Sequence, residues 1–299
     1  MDFKIENDYD GNGKKSKTNN TVVQIIIISI VSIIVGLGVF FVFNSLFNKK
    51  EPVKEEPTEV DVSLTDKNVQ ILYQYVTYGT DGVRGEKFVK DRSVSLGSFT
   101  NDEKLFYALQ FAEGEDFEFT GEYDENKKKI YRLPIETVKN YAEIFFGPNV
   151  SFAAEGVNYT HAFNFTINDQ NIGTLTYDSD EDEFHVVFDG FQDIEKKTTG
   201  VLPYYTKLIG ATKLKDNTLI LKEKVVYVKE NESEDSVSLT ISKDFEHNSI
   251  MDTKSNISKE SIDDYQFDIS PYLENASTIT YTFKVNNNAY YFASSEITG

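Results

Sequence analysis

The 299-residue chain contains no cysteine and no tryptophan, and only two methionines and six prolines. Without cysteine it has no disulfide, no thiolate zinc site, no thiol nucleophile and no lipid-modified N-terminal cysteine. Positive charge is also scarce: 30 Lys and Arg stand against 49 Asp and Glu, a formal net charge of −19. Residues 1–20 balance Asp2, Glu6, Asp8 and Asp10 against Lys4, Lys14, Lys15 and Lys17, so the whole deficit falls after them. Such a surface repels phosphate backbones and anionic polymers, which sets nucleic acid aside as a partner.

Local catalytic signatures are missing as well. The chain has no G-x-S-x-G elbow and no S-x-x-K, and its histidines, His161, His185 and His247, show neither H-x-H nor H-E-x-x-H spacing. His161 shares a strand face with Phe163, His185 alternates away from Phe184 and Val186, and His247 falls in a polar stretch. No catalytic residue and no cofactor is expected from these patterns. A hydrolase built from two carboxylates brought together by folding leaves no spacing in sequence, and it stands as the alternative function.

The strongest feature present is apolar. No charge occurs from Thr18 to Asn48, and VVQIIIISIVSIIVGLGVFFVFNSLF (22–47) is almost wholly hydrophobic. A helix needs about 20 such residues to cross a bilayer, so residues 21–47 are expected to span the membrane and contact its lipid. A cleaved signal would carry a shorter run of about 7–15 residues ending in a small-x-small site, so the run reads as an uncleaved anchor. Lysines near the two ends number four against three, and the long acidic stretch beyond resembles the passenger of a signal anchor. The expected topology is a cytoplasmic tail (1–20), the anchor, a charged spacer NKKEPVKEEPTEVDVSL (48–64), and an extracytoplasmic domain over 65–299. The inverted topology, with a cytoplasm-facing interaction domain, is the third reading.

Within that domain the spacing predicts three helices. Val69, Leu72, Tyr73 and Val76 fall on one stripe after Asp66 or Thr65 as cap. Thr100 and Glu103 form a capping-box pair ahead of Leu105, Ala108, Leu109 and Ala112. Pro134 opens a third helix that aligns Val138, Tyr141, Ala142 and Phe145 and stops at Gly147–Pro148. Period-two alternation then predicts strands around Phe163, Phe184–Phe188, 218–228 and 278–285, with a terminal hairpin turning at Asn286–Asn288. Helices followed by successive strands predict an α+β fold with a mainly antiparallel sheet. KENESEDS (229–236) and 243–264 read as long loops, the second with a short helix near Ser258–Tyr265, and a subdomain split falls near 194–200.

Two stretches invite a metal reading. In the tail, DYDGNGKKSK (8–17) matches the start of a calcium loop but offers Asn19 at the twelfth place, where an acid is needed. In DSDEDE (178–183), Asp178, Asp180 and Asp182 alternate and Asp189 holds the twelfth place, which makes the three Asp residues the candidate calcium ligands. Glu183 stands where such a loop needs Gly, so a solvated hairpin tip is the competing reading. Tyr204–Tyr205 and Tyr290–Tyr291 are candidates for stacking on a sugar or peptide, with one of each pair turned inward by strand alternation.

LPIETVKNYAEIFFGPNVSF, YYTKLIGATKLKDNTLILKEKVVYV and ITYTFKVNNNAYYFASSEI resemble landmarks of single-span proteins of low-GC Gram-positive bacteria that have no assigned function. That resemblance implies a short cytoplasmic tail, one anchor and an extracytoplasmic α+β domain. The expected function is a membrane-anchored binding or scaffolding module with a protein or envelope partner.

Overall fold

The computed structural model describes residues 59–78, 86–148, 150–165, 169–193 and 200–299. The tail, the predicted anchor and residues 48–58 of the spacer lie outside the described residues, as do Gly79, Ile167 and residues 194–199. Among the described residues no helix is long and apolar enough to cross a membrane. Residues Thr58–Gly299 form one compact unit.

The first half of the unit runs β1 (Glu59–Asp61), α1 (Lys67–Thr77), α2 (Lys87–Lys90), β2 (Ser93–Ser95), α3 (Asn101–Leu109), β3 (Glu118–Tyr123), β4 (Lys129–Pro134) and α4 (Ile135–Phe146). It continues with β5 (Asn158–Phe163), β6 (Asp169–Asp178), β7 (Glu183–Asp193), β8 (Tyr204–Leu214) and β9 (Leu219–Glu232). The last strands are β10 (Ser236–Ser242), β11 (Ile250–Ser258), β12 (Ser277–Asn286) and β13 (Ala289–Thr298). The fold is α+β, and every strand pairing is antiparallel. The expected sheet is two sheets. An eight-stranded one has the order β1-β8-β9-β12-β13-β2 with β10 and β11 branching from β9, and a five-stranded one has the order β3-β4-β7-β6-β5. The larger sheet takes strands from both ends of the unit and the smaller takes the middle.

The predicted helices form where their caps specify. Asp66 Oδ1 accepts the backbone N–H groups of Asn68 and Val69 at 2.8 and 3.4 Å, and Val69, Leu72 and Val76 are buried. Thr100 and Glu103 make the reciprocal capping box of α3. Three details differ from expectation. A fourth, short helix, α2, buries Phe88 and Val89 in an aromatic cluster; four residues are too few for a periodic pattern to show. Pro134 ends β4 and caps α4 instead of opening it, because its φ of −58° suits the change from strand to helix at ψ 140°. Finally, β1 lies within the stretch read as spacer and pairs with β8 through Glu59↔Leu214 and Asp61↔Thr212, so the end of that stretch belongs to the folded unit.

The principal core draws side chains from both sheets and all four helices, among them Val76, Phe88, Tyr107, Phe146, Phe163, Phe184, Leu221 and Tyr281. A second, smaller core lies on the other face of β9 and β10, where Val226, Val228, Val237, Leu239 and Ile241 pack with Tyr272 and Ala276. Strand β9 therefore changes pattern midway: Leu219, Leu221 and Val225 alternate with more exposed neighbours, and Val225–Val228 are buried on both faces.

Gly147 ends α4 at φ 80°, donating its N–H to Glu143 O at 2.9 Å, and a Cβ there would run into the Tyr291 ring. Left-handed backbone and overpacking act together on any side chain at this position. Gly147→Ala is expected to lower stability by about 3 kcal/mol, measured as a shift in the urea midpoint followed by circular dichroism.

Candidate functional site at the β6–β7 hairpin

Strands β6 and β7 pair from Asp178↔Glu183 down to Asp169↔Asp193, leaving Ser179–Asp182 as the tip. The tip is shaped by its own acids. Asp178 Oδ1 accepts the backbone N–H of Asp180 at 2.9 Å and of Glu181 at 3.3 Å, an Asx turn. Asp182 turns the chain at φ 55° and accepts the Tyr177 hydroxyl at 2.6 Å. Asp180 is exposed.

The three predicted ligands are thus spent on local structure or solvent, and they do not converge. Among the described residues the ligand-grade atoms that converge belong to Glu181, Glu183 and His185, all within 4.8 Å of one another. These residues alternate just as the three Asp residues do, but one position out of phase. The E-x-E-x-H spacing was the available signal: strand alternation places Glu183 and His185 on one face of β7, and the turn brings Glu181 to them.

His185 Nε2 lies 3.5 Å from Glu183 Oε1, 3.9 Å from Glu181 Oε2 and 4.0 Å from Asp178 Oδ2. Glu183 is only 8% exposed, whereas the Glu181 side chain is 64% exposed. The difference follows from the neighbours. Glu183 is in register with Pro134, where β4 passes into α4, and the Ile135 N–H reaches Asp182 O at 3.4 Å across the same corner. Glu183 Oε1 and His185 Nε2 are both buried and neither makes a hydrogen bond. Burial pushes the Glu183 carboxyl above its ordinary value, the Glu181 carboxylate adds to this, and Arg132 and His185 oppose it. Arg132, the register partner of His185 on β4, bonds Glu118 through Nε at 3.0 Å and Nη2 at 2.5 Å.

The remaining candidates are structural. Tyr204 belongs to the principal core, while Tyr205 stacks on Phe267 at 4.4 Å against the second, its hydroxyl accepting the Leu202 N–H at 2.9 Å. Both tyrosines of that pair are taken up because β8 runs between two cores, so neither offers a stacking surface. Tyr290 packs on the principal core and Tyr291 lies over Gly147. His161 is buried with Phe163, as the alternation requires. His247 Nδ1 meets Ser242 Oγ at 2.7 Å, but that serine is fully buried and donates its proton to Asp244 O at 2.9 Å, so it does not form a nucleophile. Glu223 was not singled out by its sequence context; it is fully buried and accepts hydroxyls from Tyr73 at 2.5 Å and Tyr281 at 2.7 Å.

No family model, curated protein or solved structure matches the chain.

Proposed function

We propose that the chain is a single-pass membrane protein, N-terminus in the cytoplasm, that holds Thr58–Gly299 outside the cytoplasm as a binding or scaffolding module. The observation that carries this reading is the uncharged stretch Thr18–Asn48, whose apolar part is long enough to span a bilayer. It is followed by the whole net negative charge of the chain. The order of tail, run and α+β unit is also that of the Gram-positive single-span proteins it resembles. The net charge favours a neutral or cationic partner over an anionic polymer.

Protease treatment of intact, osmotically stabilised cells carrying a tag after Gly299 tests the topology. Loss of the tag without lysis is the expected result. Loss only after lysis places the unit inside and overturns the reading.

A further inference from the structure

We propose that Glu181, Glu183 and His185 bind a divalent first-row transition ion, zinc being the representative case. The inference is independent of which side of the membrane the unit faces.

Three observations carry it. First, the donor set is one imidazole nitrogen and two carboxylates, which suits zinc and its neighbours; calcium takes oxygen ligands. Second, the spacing is close to that of a coordination shell. With metal–ligand bonds of about 2.0–2.1 Å, two ligands of a tetrahedral ion stand about 3.4 Å apart. The imidazole nitrogen is already 3.5 and 3.9 Å from the two glutamate oxygens, and the longer gap belongs to the exposed Glu181. Third, Glu183 is more than nine-tenths buried, and its Oε1 faces His185 Nε2 with no hydrogen bond on either atom. Buried polar atoms are ordinarily paired, because desolvation without a partner costs free energy. A cation between these atoms satisfies both.

The sheet supplies rigidity. Glu183 and His185 sit on β7, which is hydrogen-bonded on both sides, to β4 and β6. The Asx turn formed by Asp178 fixes the tip from which Glu181 projects. Asp178 Oδ2, 4.0 Å from the imidazole nitrogen, lies outside the converging set. The site thus has three protein ligands and an open fourth position, as in zinc centres that take water or an exchangeable ligand.

The test is calorimetric titration of zinc chloride into the full-length chain in detergent micelles, in the presence of millimolar calcium. One zinc per chain is expected. Glu183→Gln, His185→Gln and Glu181→Gln are each expected to weaken binding by at least tenfold, given that even outer-shell changes cost about 10–100-fold. Asp180→Asn, altered outside the set, is expected to bind as the parent does. Because the Glu181 side chain is exposed, its loss of affinity cannot be assigned to misfolding. In a parallel measurement, copper(II) resonance spectra are expected to show coupling to one imidazole nitrogen, absent in His185→Gln. Absence of zinc binding, zinc affinity unchanged in all three variants, or displacement of zinc by calcium would each overturn the proposal. The last would place the ion on oxygen ligands alone, such as Asp178, Asp180 and Asp182.

Discussion

Glu223→Ala is expected to lower the stability of the folded unit by about 4 kcal/mol, because it removes the acceptor of two tyrosine hydroxyls and leaves a cavity in the core. Glu223 stands on β9 among Leu219, Leu221 and Val225, at a position whose alternation points it into the principal core, and it is fully buried. Tyr73 from α1 donates to Oε1 at 2.5 Å, and Tyr281 from β12 donates to Oε2 at 2.7 Å. One carboxylate thus ties a helix near the beginning of the unit to a strand near its end, 150 and 58 residues away in sequence. Removing the acceptor of a buried hydroxyl costs about 1–3 kcal/mol, and truncation also opens a cavity lined by polar hydroxyls. Tyr281→Phe removes a single donor and is expected to cost about 2 kcal/mol. Urea unfolding of the full chain in micelles, followed by circular dichroism, measures both. A loss below about 1 kcal/mol for Glu223→Ala would mean that the network behaves like an exposed pair and that the core does not depend on it.

Helices α1, α3 and α4 were legible because their information is local: a cap or a preceding proline and a stripe at helical spacing lie within a few turns of each other, and in α4 a glycine, Gly147, ends the helix as expected. Strands β5, β7 and β12 were legible because each has one wet and one dry face. What alternation cannot show is a strand without that contrast. KENESEDS is not a long loop: β9 continues through Glu232 and β10 resumes at Ser236, with Ser233 N donating to Ser236 O at 2.9 Å across the turn. Likewise β11 occupies Ile250–Ser258 in the second stretch read as loop, and only a single 3-10 turn, Lys259–Ser261, stands where a helix was expected. It is an edge strand with mostly exposed side chains, held by its ladder to β10 and not by a buried face. At the candidate site the hairpin itself was legible, but the set whose donor atoms lie closest together, Glu181, Glu183 and His185, is one position out of phase with the alternating Asp residues. Which of two interleaved sets converges depends on register with Pro134 and on the Asx turn, and neither is a property of the six residues alone.

The second large effect concerns acid. His161 on β5 is 3% exposed and surrounded by rings: Phe163 at 4.7 Å, Phe106 at 5.8 Å, Tyr159 at 6.0 Å and Tyr78 at 6.4 Å between centroids. Its Nε2 lies 3.3 Å from the Tyr78 hydroxyl. Burial pushes the imidazole down to about 3, and the neighbouring tyrosines are pushed up, Tyr159 to about 12, so both stay neutral throughout the acid range. In the unfolded chain the same imidazole takes its proton near pH 6.5. Between these limits the unfolded state holds the extra proton, so stability falls as pH falls from about 6.5 toward 3. Three pH units below the unfolded value, at pH 3.5, the loss from this one residue is about 4 kcal/mol. His161→Phe keeps an aromatic ring on the same face and removes the titration. Its stability at pH 7 is expected to drop, through loss of the Tyr78 contact, while the difference between pH 7 and pH 3.5 shrinks by about 4 kcal/mol relative to the parent. Urea midpoints at the two pH values provide the comparison, and the carboxylates common to both proteins cancel in it. Parallel pH profiles for variant and parent would show that the imidazole gains its proton in the folded state as readily as in water, and that the ring cage around it opens to solvent.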